Sequence, residues 1–498
     1  MTTLTGGALV LAAGQIHAQY TPPPPLKPSP GYLNQYLRQE DPAMLAWDVS
    51  GSLRLRYEMK ENGGNVAGVL SPAAPSGADF RKNVYSAPAA DNDNDFFMHK
   101  LRMRVGYSTE WWNTLTEIRS SGTTGDDRGP GAGPESDGIA ELHQAYLSLG
   151  NYKNFPLSLK VGRQELSYAN ERIIGAFAWN NVGRVFDAAK VGWQNSWFTA
   201  DFFSSRVVVP DDNNFNMPND YDWFSGIYGS TKAIPKNTTE FFLLSRNASA
   251  QAATANGAAT LAPYNVSARD IYTIGARFKS NPGEFGNWDY LAELMGQFGH
   301  FNDNRAGVPF PSQEHQAYAI VLQGGYTFAK SWATPRVALE YAHASGDGNP
   351  NDQKHTTFEN LFPTNHKFYG YMDFISLQNV HDVRPMITLK PHPRLSVALE
   401  GHAFWLASTR DSFYNVGGVP RGGIGTTPGT GYGINPSYSN YLGSEVDLIA
   451  GYALNKSTAL EAGYGHFFRG DYLKQSFAAP SHGSTDADYV YLQATITF

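Results

Sequence analysis

Asp488-Tyr489-Val490-Tyr491-Leu492-Gln493-Ala494-Thr495-Ile496-Thr497-Phe498 closes the chain and shows most clearly the pattern that decides the fold. Val490, Leu492, Ala494, Ile496 and Phe498 fall on one face of a strand, and Tyr491, Gln493, Thr495 and Thr497 on the other. The same period of two recurs upstream. Leu53, Leu55 and Tyr57 alternate with Ser52, Arg54 and Arg56, and Leu101, Met103, Val105 and Tyr107 alternate with Arg102, Arg104 and Gly106. One such strand suits a soluble sheet as well as a wall between lipid and water.

The connections separate the two. Short gaps at 108–111, 151–155, 195, 233–236, 281–285, 329–333, 391–393 and 455–456 alternate with long ones. The long gaps are 59–95, 122–140, 166–185, 210–220, 247–268, 300–314, 346–379, 408–442 and 469–487. Eight short and nine long connections in strict alternation give 18 strands. Residues 371–380 read as an extra strand would make 19, an odd number that antiparallel closure with both termini on one side excludes, so they belong to a loop. The expected fold is therefore all-β: an 18-stranded antiparallel transmembrane β-barrel with short periplasmic turns and long extracellular loops. Trp111, Trp112, Trp193, Trp197, Trp288 and Trp332 fall at or beside short turns, as an interfacial aromatic girdle requires.

Composition excludes the alternatives. The 498 residues contain no cysteine, which removes disulfide scaffolds, thiolate metal sites and cysteine nucleophiles. A net charge of −7 argues against nucleic-acid binding. Beyond the extreme N-terminus no apolar run approaches the roughly 18 residues of a membrane helix, so a membrane span here has to be a barrel. Residues 1–18 read as a signal peptide without the usual basic n-region, 19–45 as a Pro-rich periplasmic leader, and 46–498 as the barrel.

Strand phase assigns charged side chains to the lumen, because a Lys or Arg facing mid-bilayer costs roughly 2–4 kcal/mol. On the first six strands the inward phase carries Arg54, Arg56, Arg102, Arg104, Arg119, Lys160 and Lys190, opposed only by Glu58 and Glu117. Later strands reverse the balance with Asp201, Asp289, Glu293, Glu340, Glu400, Glu445, Asp447 and Glu461. A basic sector inside an acidic protein suits the path of a polyanion, since guanidinium groups stay charged and pair bidentately with carboxylates. The bland reading is that the arginines brace the wall against lumen carboxylates.

Residues 157–187, LSLKVGRQELSYANERIIGAFAWNNVGRVFD, closely resemble the core motif of the alginate export family of outer-membrane barrels. ELHQAYLSLG (141–150), FENLFPTNHKFYGYMDF (358–374) and SEVDLIAGYALNKSTALEAGYGHFFRGDYL (444–473) carry the resemblance over roughly residues 45–498. It implies a barrel with a positively charged constriction for uronate polymers, working as a monomer. It points to Arg163, Gln164, Glu165, Tyr168, Glu171, Arg172, Asn180, Asn181, Arg184 and Asp187, with Gln164 on the substrate path and the others around a loop that narrows the pore. Arg163 is out of lumen phase. It is therefore expected to be buried against the loop 166–185 or to mark a break in phase, and Arg163–Glu171-type pairs would hold that loop as a lid.

Other motifs fall away. Asp91-Asn92-Asp93-Asn94-Asp95 resembles a calcium loop, but Phe96 stands where an EF-hand needs Gly and Arg102 where it needs Glu. The glycines at 423–433 lack a following helix, and His143, His300, His315, His343, His366 and His466 read as a solvated extracellular rim. No nucleophile–base pair stands out, so the chain reads as a channel, not an enzyme, with no cofactor. The leading function is passive export of an anionic exopolysaccharide through the outer membrane of a Gram-negative bacterium, with outer-membrane lipids and periplasmic export proteins as partners. Uptake of small anionic nutrients or oligouronates, and a plugged adhesion barrel, are the alternatives.

Overall fold

The computed structural model describes residues 31–63, 80, 93–126, 137–151, 154–211, 214–260, 264, 266–302, 312–421, 431–478 and 486–498. The signal peptide, the first part of the leader (19–30), Asp91, Asn92 and residues 423–430 lie outside them. A short helix α1 (Tyr32–Glu40) and a 3₁₀ turn (Pro42–Ala46) precede the first strand.

The barrel strands are β1 (Trp47–Glu61), β2 (Asn94–Ser108), β3 (Trp112–Thr124), β4 (Asp137–Leu149), β5 (Leu157–Gln164) and β6 (Phe186–Gln194). Then follow β7 (Phe198–Val209), β8 (Met217–Thr231), β9 (Asn237–Ala248), β10 (Arg269–Ser280), β11 (Trp288–Asn302) and β12 (Ser312–Thr327). The circuit ends with β13 (Arg336–Ala344), β14 (Val380–His392), β15 (Leu395–Leu406), β16 (Tyr441–Ala453), β17 (Thr458–Arg469) and β18 (Ala487–Thr497). Each strand pairs antiparallel with the next, and β1 pairs with β18 from Ser52↔Thr497 to Glu61↔Asp488, so the 18-stranded sheet closes. Closure leaves no strand edge, which lipid does not tolerate. Residues 371–379 are not a strand of the wall; they belong to the connection between β13 and β14.

Burial runs opposite to a soluble protein's. The large apolar side chains Ile274, Leu339 and Leu492 are 58%, 55% and 56% exposed, because they face the space that lipid fills. Trp111, Trp112, Trp197, Trp288 and Trp332 are exposed beside the short turns and form the periplasmic girdle. The lumen is not empty. Leu166, Tyr168, Ile173 and Ile174 from the β5–β6 connection pack in one apolar cluster with Phe358, Phe362, Tyr369, Met372 and Phe374 from the β13–β14 connection. Tyr432, and Tyr472 and Leu473 of helix α2 (Asp471–Ser476), extend that cluster.

Candidate functional site

The β5–β6 connection, residues 165–185, folds into the barrel and bonds to both sides of it. On one wall Arg54 of β1 donates to the carbonyls of Ala178 (3.1 Å) and Trp179 (2.8 Å) and to Asn181 Oδ1 (3.1 Å). Arg56 donates to Trp179 O at 3.0 Å and lies 3.9 Å over the Trp179 ring, while its Nε pairs with Glu58 at 2.9 Å. Arg119 of β3 donates to Val182 O at 2.7 Å, and Ser121 to Asn181 O at 2.7 Å. Asn181 also donates to the backbone carbonyls of His99 and Gly122, and Asn180 caps its own turn by accepting from Val182 and Gly183 N–H.

Half-way round the ring the same loop meets the opposite wall. Arg172 is fully buried; its Nη2 donates to both oxygens of Glu340 at 3.0 and 2.9 Å and its Nη1 to Tyr369 Oη at 2.8 Å. Glu293 lies 3.6 Å away and the Phe368 ring stacks on the guanidinium. Burial opposes this charge, but Glu340 outweighs it and raises the Arg172 pKa. Ala169, Glu171 and Phe177 have positive φ without being glycine, a strain that persists only where surroundings over-determine the conformation.

The β13–β14 connection, residues 345–379, is the second lumen loop. Ile174 and Phe362 form a parallel bridge between the two loops. Arg184 donates to Gly175 O (3.2 Å) and Pro363 O (2.9 Å); burial, with the Arg246 charge nearby, lowers its pKa to about 10. Glu171 accepts from Ser167 (2.6 Å) and pairs with Lys367 (3.2 Å). Trp179 stacks on His366 at 3.8 Å, so one indole lies between a wall arginine and the second loop. Gln297 on β11 clasps Glu359 through its amide N–H and carbonyl at 2.7 and 2.8 Å, and Glu445 on β16 accepts from Met372 N at 2.9 Å.

Below the loop, Arg102 pairs with Glu165 (3.0 Å) and Glu117 (3.6 Å), Arg104 with Asp48 (2.8 Å), and Lys190 with Asp201 (2.9 Å). Tyr168 Oη donates to the same Asp201 at 2.9 Å and its ring stacks on Tyr228. Lys160 rests 3.6 Å over the Tyr146 ring. Gln164 is fully buried and donates to the carbonyls of Gly162 and Ala188. Among the described residues Arg54, Lys100 and Lys160 form no ion pair; the loop offers two of them carbonyl dipoles instead of charges.

Some expectations need correction. Arg163 neither sits against the loop 166–185 nor breaks strand phase: the β5–β6 register is continuous, and it binds Asp187 bidentately at 2.8 and 3.0 Å, with Phe215 beside it. Both residues share the outward phase at the extracellular end, where charges survive by pairing. Glu171 is held by Lys367, not by Arg163. His143 is no rim residue. The β3–β4 register slips between Glu117↔Gln144 and Ile118↔Leu142, and this bulge turns His143 into the interior between Arg119 and Glu165. His315 and His366 are buried as well.

The sequence reading also missed Lys100, which shares the parity of Arg102 and Arg104 and donates to Ala178 O and Asn180 O at 2.9 Å. Its parity was the available signal. Trp179 and Tyr369 had none, because their roles depend on two loops meeting.

Residues 80–485 match the family described as alginate export. The chain belongs to the alginate export family. No curated protein matches this sequence. Among solved structures, this alginate export protein is similar to Pseudomonas aeruginosa OpdK solved with vanillate, at 10% identity and TM-score 0.52 over 91% of this chain and 98% of that one. Acinetobacter baumannii OccAB4 gives 10% and 0.51 over 90% and 98%, and Pseudomonas aeruginosa OpdQ 12% and 0.51 over 91% and 97%. At these identities the likeness shows the fold alone. Family and barrel together make the protein an outer-membrane channel.

Proposed function

We propose that this family member is a passive conduit that carries an anionic exopolysaccharide, a uronate polymer such as alginate, outward across the outer membrane of a Gram-negative cell. The observation that carries the reading is how the basic sector is satisfied. Arg54 and Lys100 hold the lumen loop through neutral carbonyl oxygens, and Lys160 faces an aromatic ring. Carbonyl dipoles satisfy hydrogen bonds but leave the positive charge uncompensated, whereas carboxylates spaced along a uronate chain match both charge and geometry. An arriving polymer would exchange for loop carbonyls one contact at a time, so no single site traps it. Such a channel needs no cofactor; direction comes from polymer synthesis and from periplasmic export proteins, and a single chain closes the pore.

Uptake of small anions is the second reading. The two lumen loops hold both walls together, and OpdK, of the same architecture, was solved with vanillate, a carboxylate. Single-channel recording in planar bilayers separates the readings. The conduit predicts anion preference, block that strengthens with oligouronate length, and no block by neutral oligosaccharides. Lys160→Glu together with Arg104→Glu should weaken the anion preference, by roughly 2 kcal/mol per charge reversed at contact in an aqueous lumen, about 1 for the attraction lost and about 1 for the repulsion gained. Block by monomeric carboxylates alone would favour uptake. A cation-selective pore would sink both.

A further inference from the structure

The chain enters the described structure at Gly31, directly against its own end. A Cβ on Gly31 would lie 2.3 Å from the carboxyl carbon of Phe498, so only glycine allows this approach. Phe498 exchanges backbone hydrogen bonds with Gly51 at 2.8 and 2.9 Å, and its ring crosses the face of Gly51, where a Cβ would come within 2.6 Å of it. Gly51 shares the lipid-facing phase of β1 with Val49 and Leu53, so the Phe498 ring sits on the outside of the wall. The Tyr32 ring packs on Phe498 at 6.4 Å, which places the start of α1 on the lipid side of the seam.

The helix is amphipathic about that placement. At 3.6 residues per turn Tyr32, Tyr36, Leu33 and Leu37 cover one side, joined at the helix end by Glu40, while Gln35 and Arg38 lie opposite and Gln39 borders Tyr32. Between the two, Asn34 is buried and turned to the barrel: it donates to Asp48 at 2.6 Å and accepts from Val49 N at 2.7 Å. Tyr32 and Tyr36 are 62% and 59% exposed in the isolated protein. They continue a row of aromatics at the periplasmic rim, Trp47 on Tyr107 at 4.9 Å and Tyr107 on Trp112 at 5.4 Å.

We propose that α1 is an interfacial anchor whose Tyr32–Leu33–Tyr36–Leu37 side lies in the phospholipid headgroup region of the periplasmic leaflet. Tyrosine suits that depth because its ring is apolar and its hydroxyl stays hydrated. The same anchor positions the lumen entrance. Asn34 fixes Asp48, and Asp48 pairs with Arg104, the periplasmic-most arginine of the basic sector on β2. The described part of the leader therefore lies at the rim of the barrel wall.

The absence of cysteine makes the test clean, because one introduced thiol is the only one. Tyr36→Cys and Gln35→Cys, in the full chain in phospholipid nanodiscs, are each labelled with an environment-sensitive fluorophore. The anchor predicts that the label at 36 is quenched by bromolipids at a depth of about 5–10 Å from the surface and shielded from iodide, and that the label at 35 shows the reverse. Equal aqueous quenching at both positions would overturn the proposal, as would bromolipid quenching confined to position 35.

Discussion

At the residue scale, the lumen loop is held at its start by a single carboxylate. Glu165 accepts from Arg102 at 3.0 Å and contacts His143 Nε2 at 2.9 Å. Burial acts to raise its pKa, but Arg102 and the His143 ring outweigh burial and hold it below the ordinary carboxylate range. A carboxyl whose folded pKa lies below its unfolded one stabilises the folded form above the unfolded pKa, and that contribution is lost as pH falls through the folded value. Amide protection of residues 165–185, corrected for intrinsic exchange, should therefore be flat from neutral pH down to about 4.3, the free glutamate value, and decline below it. Glu165→Gln should show weakened protection at neutral pH and no acid step from this group. An acid step of unchanged size in that variant would place the titrating group elsewhere.

At the element scale, the two lumen loops act as one unit because each supplies what the other lacks. The β5–β6 loop brings Arg172 and Arg184 without carboxylates for them. The β13–β14 loop supplies Tyr369 and Pro363 O, and the wall supplies Glu293 and Glu340. Removing one member of a buried ion pair strands the other, at about 3–5 kcal/mol. Arg172→Met leaves Glu340 with only the longer 3.8 Å ion pair to Arg384 and Glu293 without its Arg172 partner, and the cheapest relief is to undock the loop. The expected result is a larger single-channel conductance with the thermal stability of the barrel unchanged. A variant with wild-type conductance and a lower barrel melting point would show that the loop is structural and immobile. Strand phase made the wall side of this arrangement legible, since Glu293 and Glu340 are assigned to the lumen by parity alone. The loop side was legible only as a motif, because a connection has no period from which direction can be read.

At the scale of the whole molecule, two kinds of packing coexist. The wall is a closed hydrogen-bonded ladder, and the lumen contents are an apolar cluster of loop aromatics such as Phe362, Tyr369 and Phe374. Regions held by side-chain packing open before regions held by a continuous ladder. Heating in detergent should accordingly abolish the near-ultraviolet circular dichroism of the loop aromatics before the far-ultraviolet β signal. A single coincident transition would mean that the loops and the wall unfold together.

The wall can be read from residue order: strand number, the alternation of short and long connections, the girdle, and which wall charges face inward. Alternation survives in the text because each residue's side is set by its neighbours two positions away. What those charges do emerges from the folded barrel. Arg54, Arg56 and Lys100 hold carbonyls of a loop about 80 to 125 residues away in the chain, and Arg172 reaches Glu340 at a separation of 168. Folding also turns His143 inward, through one bulge that period-two reading passes over, and closes the first described helix onto the last residue. Such contacts depend on where a closed barrel brings distant segments, and closure is a property of all eighteen strands together.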